Sequence, residues 1–204
     1  MVGKGAWGLM TVLATLVATY ALAAIALPGV RSPIVADLFT EKAVRALLHL
    51  APGGIAIVAG AFQFSTRIRF GSPRIHRVLG RAYVVAALIG GAAGGMLAPS
   101  STGGVAGHFG FGLLAVLWVT TTLLAWTRAR ARAFTAHRAW MIRSYALCLA
   151  AVTLRLYLPL SGAIGIPFDD AYPAIAWLCW VPNLVVAEWL VIPGRWAPLE
   201  PALG

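Results

Sequence analysis

The sequence predicts an all-α fold: a polytopic membrane protein of six transmembrane helices, with helices two to five forming a central four-helix bundle. Three observations lead there. The chain of 204 residues is 60% hydrophobic and 11% charged, with a mean hydropathy of +0.84. A soluble domain of that size would need more polar surface to cover itself. Six apolar stretches each approach the roughly 20 residues needed to cross a bilayer. The arginines gather in alternate links between those stretches, the bias that orients membrane proteins.

The expected spans are 6–28, 43–64, 77–98, 106–126, 138–160 and 172–192. In the first, Lys4 precedes the apolar run and small residues close it, as in a signal peptide. The run is about 20 residues long, which favours an uncleaved span over a signal core. The second to fifth spans are rich in Ala and Gly, as suits closely packed helices in lipid. In the sixth, Pro182 followed by Asn183 predicts a kink. The spans fill most of the chain, so 1–204 reads as a single integral membrane domain. The Pro-rich tail after Ile192 is expected to carry no chemistry.

The formal net charge is +10. Arg67, Arg69, Arg74 and Arg77 follow the second span, and Arg128, Arg130, Arg132 and Arg138 follow the fourth. The opposite links hold Arg31 and Lys42 with Asp37 and Glu41, then no charge, then Asp169 and Asp170. Topology explains the positive charge, and no basic patch remains for nucleic acid. The bias places both termini and the Arg-rich links in the cytoplasm, with a bacterial inner (cytoplasmic) membrane as the expected location. Cys148 and Cys179 fall inside spans and read as small packing residues.

The chain holds four histidines, one near the start of each of the second to fifth spans: His49, His76, His108 and His137. His49 and His108 enter from the far face, His76 and His137 from the Arg-rich face. Arg81 and Tyr83 follow His76-Arg77, and Arg143 and Tyr145 follow His137-Arg138. The echo suggests a parallel repeat of two hairpins.

Diagonal helices of a bundle can present one axial ligand to each side of a macrocycle. His49 with His108, and His76 with His137, would then hold two haems b, roughly 20 Å apart at the helical rise. Gly53, Gly80 and Gly112 lie four residues after His49, His76 and His108, on the same helix faces, and would leave room for a flat cofactor. Arg77, Arg81, Arg138 and Arg143 surround the cytoplasmic pair, and Arg155 lies within the fifth span near the depth of His49. These cations suit haem propionates. Without haem, the histidines and arginines would snorkel to the interface. Glu188 would then meet Arg143 or Arg138.

Beyond the bilayer, the expected partners are an electron donor and an acceptor that the sequence does not name. A homodimer is compatible with it. Two other roles fit the same residues. One is a small-solute transporter or binder around Arg155, Gln63 and Asn183. The other is a structural subunit of a membrane complex. An oxidoreductase activity would depend on the haem.

The stretches LLHLAPG at 47–53, GAFQFSTRIRFGSPRIHRVLGRAY at 60–83, HRAWMIRSYAL at 137–147, AVTLRLYLP at 151–159 and WLCWVPNL at 177–184 resemble a family of bacterial membrane proteins known as domain of unknown function 2306. That resemblance covers helices two to six and implies no activity. The layout also resembles the ascorbate-reducible transmembrane di-haem b-type cytochromes. They have six helices, with one histidine on each of the central four. Their pairing, two with four and three with five, implies His49 with His108 and His76 with His137.

Overall fold

Hydrophobic runs of bilayer length become helices even across Pro52-Gly53-Gly54, and the computed structural model describes residues 3–192. α1 covers Lys4–Ala26, α2 Pro33–Glu41, α3 Ala43–Gln63, α4 Thr66–Gly71, α5 Pro73–Leu97 and α6 Gly104–Arg130. α7 covers Phe134–Cys148, α8 Ala150–Ala163, α9 Phe168–Leu178 and α10 Val181–Val186, followed by a π-helical turn at Ala187–Val191. There is no strand among the described residues. The Pro-rich tail lies outside them.

Five helices are long and apolar enough to cross a membrane: Gly5–Ala26, Ala43–Gln63, Pro73–Ser100, Gly104–Arg130 and Phe134–Ala163. The fifth is α7 and α8 joined at Leu149, which stays near helical geometry at φ −65°, ψ −9°. The sixth span expected over 172–192 is not a continuous helix. α9 ends at Leu178 and Trp180 leaves the helical region at φ −126°, ψ −32°. Pro182 explains the break, because it has no N–H to continue the ladder. Asn183 repairs part of it: Nδ2 donates to the Cys179 carbonyl at 3.0 Å and to Thr153 Oγ1 at 2.9 Å.

Two short helices were not foreseen. α2 starts at Pro33, which suits the first helical position. α4 starts after Ser65, whose Oγ accepts from the Ile68 N–H at 3.4 Å. Both lie where the apolar runs pause, one at each end of α3.

α3 packs along α5, α5 against α6, α6 against α7, and α7 touches α3. α1 lies against α3 and reaches α8, while α9 packs on α6 and α8. Close packing of α3 on α5 depends on glycine. A Cβ at Gly90 would stand 3.3 Å from the Gly53 nitrogen, so the two backbones meet without side chains between them.

Candidate functional site

On α3, His49 lies two turns from the end remote from the Arg-rich links. Its Nδ1–H donates to the Gly90 carbonyl of α5 at 2.8 Å. A carbonyl can only accept, so the proton sits on Nδ1 and Nε2 is left as a lone-pair nitrogen. A Cβ at Gly94 would come within 3.0 Å of Nδ1, so the imidazole needs glycine on the facing helix.

His49 lines a cavity of about 540 Å³. That volume is in the range of cofactor and small-molecule sites. Gly53, Gly91 and Gly94 form part of its wall, Trp118 and Cys148 line it from α6 and α7, and Arg155 supplies a cation. α2 contributes Ile34, Leu38 and Glu41. Arg155 donates from Nη1 to the Ala151 carbonyl at 2.8 Å and lies 5.2 Å over the Tyr20 ring. Among the described residues it makes no ion pair.

Below the cavity the interior is closed by a polar cluster buried in an apolar surround. Trp118 Nε1 donates to the Tyr83 hydroxyl at 3.3 Å. The Tyr83 hydroxyl meets Ser144 Oγ at 2.7 Å, and Ser144 Oγ meets Thr122 Oγ1 at 2.7 Å. Thr122 Oγ1 donates to the Trp118 carbonyl at 2.7 Å. Tyr83, Thr122 and Ser144 are all 0% exposed. The Tyr145 hydroxyl donates to the Ile57 carbonyl at 2.9 Å, and its ring lies 6.3 Å from that of Tyr83. Gly60 makes room for it, since a Cβ there would fall 2.4 Å from the Tyr145 ring.

At the Arg-rich end, His137 Nδ1–H donates to the Ala125 carbonyl of α6 at 2.8 Å, which leaves its Nε2 free. His76 lies within electrostatic reach of Arg69, His137 and Arg77. Gln63 Nε2 donates to the His76 carbonyl at 3.2 Å and ties the end of α3 to the start of α5.

The sequence-derived residues therefore separate into groups. His49, Gly53 and Arg155 share the cavity. His108 is not among its lining residues, and its Nε2–H donates to the Ser101 carbonyl at 3.0 Å. Gly80 faces Gln63, with a Cβ position 3.3 Å from Oε1, and Gly112 has only Ala98 near it at 3.9 Å. Arg77, Arg81 and Arg138 are exposed. Arg143 is taken by Glu188, with Nε and Nη2 at 2.5 and 3.1 Å from the two carboxylate oxygens. Both cysteines are free and buried. No cluster of three or more His, Cys, Asp or Glu capable of holding a metal ion occurs among the described residues.

Sequence reasoning missed Gly90 and Gly94, because it sought room on the histidine's own helix. The signal was present: Gly90, Gly91, Gly94 and Gly95 give two small-residue pairs four apart on α5. It also missed Ser144 and Thr122, which carry no motif.

A helical membrane protein with a ligand-sized cavity in one half and a closed polar core is the class these features define. The family model described as predicted membrane protein (DUF2306) matches residues 46–191, from the first turn of α3 to the π-helical turn. The chain belongs to that family. No curated protein and no solved structure matches it.

Proposed function

We propose that the protein carries electrons within the membrane on haem b, which His49 would hold at the cavity and His76 with His137 would hold at the Arg-rich end. The observation that supports this most is the His49 ring. It is fixed by one backbone hydrogen bond through Nδ1, keeps Nε2 available, and borders the cavity. Iron-binding histidines are commonly held by such a bond on the second nitrogen. The cavity is flanked by glycines, which admit a flat group close to the backbone, and Arg155 offers charge compensation for an acidic substituent. Haem supplies one-electron chemistry when bound. The protein's own part is to exclude water, orient the imidazoles and set the local charge.

His137 shares the Nδ1-donor arrangement of His49. For His108 to serve as the second ligand at the cavity, its Nε2 must leave the Ser101 carbonyl. The Trp118–Tyr83–Ser144–Thr122 cluster separates the two histidine levels. In this reading the Arg-rich face is cytoplasmic and the membrane is a bacterial inner membrane.

The test is an optical spectrum of the purified chain after haem-replete expression. A reducible b-type absorbance is expected, and His49→Ala should remove the share bound at the cavity. A colourless protein would sink the reading.

The engagement of His108 favours a second reading, in which the same cavity takes a small organic acid through Arg155 without iron. Ligand binding that persists in His49→Ala but is lost in Arg155→Gln would select it.

A further inference from the structure

Two buried nitrogens at the Arg-rich end have no hydrogen-bond partner among the described residues: Nε of Arg69, which is a donor, and Nδ1 of His76, which donates in its Nδ1–H form. Such groups are rare, because water is lost and nothing replaces it. They come from different elements. Arg69 lies on α4, and His76 on the first turn of α5, against which α4 packs. Arg69, His137 and Arg77 all lie near enough to His76 to act on its charge. Three cationic or cation-forming groups therefore crowd one imidazole, with two donors left over.

Among the described residues no carboxylate answers them, and Glu200 lies outside those residues. Asp37, Glu41, Asp169 and Asp170 sit in links at the opposite end of the helices, and Glu188 is held by Arg143. α4 itself lies at the level where a membrane surface would be. Phe70, next to Arg69, is 74% exposed, and Ile75 and Val78 are also exposed. An apolar rim beside an arginine whose guanidinium lies 4.7 Å over the Phe70 ring suits the boundary between acyl chains and headgroups.

We propose that Arg69, His76 and Arg77 form a binding site for a phosphate-bearing anion, with Arg69 Nε–H and His76 Nδ1–H as its buried donors. A phosphate has enough acceptor oxygens to take both donors at once, and its charge offsets the surrounding cations. The guanidinium also retains its terminal nitrogens for a second oxygen. The phosphate of an anionic lipid headgroup and free phosphate share this chemistry. The site does not depend on the haem reading. A histidine that binds iron through Nε2 carries its proton on Nδ1, and one that binds no iron donates through Nδ1 in the Nδ1–H tautomer that a phosphate oxygen would select.

The experiment uses the full chain, delipidated in detergent and titrated with short-chain phosphatidic acid, with the matching diacylglycerol, and with inorganic phosphate. Saturable binding of phosphatidic acid at one molecule per chain is expected, with none for diacylglycerol. Arg69→Gln should weaken it about tenfold, the weight of one hydrogen bond to a charged group. Arg128→Gln, equally basic and outside the cluster, should leave it unchanged. His76→Asn, which keeps an amide donor near the Nδ1 position, should retain binding that His76→Leu loses. Competition by inorganic phosphate at equal concentration would identify free phosphate as the occupant, and its failure to compete would identify the lipid. Equal losses in Arg69→Gln and Arg128→Gln would show unspecific charge attraction and overturn the proposal. So would equal affinity for diacylglycerol, or the absence of binding by any of the three.

Discussion

The Tyr83 hydroxyl and Ser144 Oγ meet at 2.7 Å, joining α5 to α7 inside the protein. The bond has a direction. Trp118 Nε1 donates to the Tyr83 oxygen, so the Tyr83 proton goes to Ser144. Thr122 spends its own proton on the Trp118 carbonyl, so Ser144 donates to Thr122. The chain begins at the indole of Trp118 and ends at the backbone of the same residue, with each donor used once.

Removing one member of that chain strands its neighbours. Tyr83→Phe leaves Trp118 Nε1 without its acceptor and Ser144 without its donor, at a cost of about 1–3 kcal/mol. Combined with Ser144→Ala, a cycle of thermal or denaturant unfolding in detergent should give a coupling of about 0.5–3 kcal/mol. Simple additivity would mean that the two hydroxyls do not depend on each other.

Glycines that look alike in the sequence should differ sharply on substitution. Gly60→Ala drives a methyl group into the Tyr145 ring, where the Cβ position is 2.4 Å from two ring carbons. Overpacking of this kind costs about 1–3 kcal/mol. Gly53→Ala meets nothing within 4 Å and should be tolerated in unfolding measurements. Equal stability of the two variants would contradict the packing described for α3.

At Gly94 the effect should fall on His49. A methyl group there lies 3.0 Å from Nδ1 and pushes the ring off the Gly90 carbonyl. If His49 binds iron, Gly94→Ala should lower or shift the b-type absorbance assigned to the cavity while leaving the other share intact. A spectrum that does not change would separate this ring from any cofactor.

Much of this arrangement was legible in the sequence, for identifiable reasons. The helices follow from hydropathy, and the arginine bias tells one end from the other. The repeated Arg-x-Tyr pattern singled out Tyr83 and Tyr145, and their rings are 6.3 Å apart. The scarcity of carboxylates within spans pointed Glu188 to Arg143 or Arg138, and it pairs with Arg143. What stayed hidden depends on rotation about the helix axis. In a segment that is apolar all round, periodicity does not say which face turns inward. So the sequence did not show that Gly94 faces His49, that His108 turns to Ser101, or that Ser144 lies in the interior. The break after Leu178 was half visible: Pro182 announced a kink, but not the loss of a continuous sixth span.

Breaking the Arg143–Glu188 pair should matter more than most polar substitutions. Glu188→Gln leaves a guanidinium that is only 16% exposed without its counter-charge. Buried pairs broken on one side cost about 3–5 kcal/mol, and partial exposure lowers that figure. Arg143→Met together with Glu188→Leu should recover much of the loss in unfolding measurements. A neutral Glu188→Gln would place the pair among surface bridges of little weight.

The same pair bears on how the chain enters a bilayer. Arg143 is made 45 residues before the carboxylate that neutralises it. Until Glu188 emerges, α7 offers lipid a bare cation, at a cost below the roughly 2.5–3.5 kcal/mol of an arginine at a helix centre because Arg143 lies nearer the Arg-rich end. The helix that carries Arg143 is therefore better accommodated in hydrocarbon once the segment that carries Glu188 lies beside it.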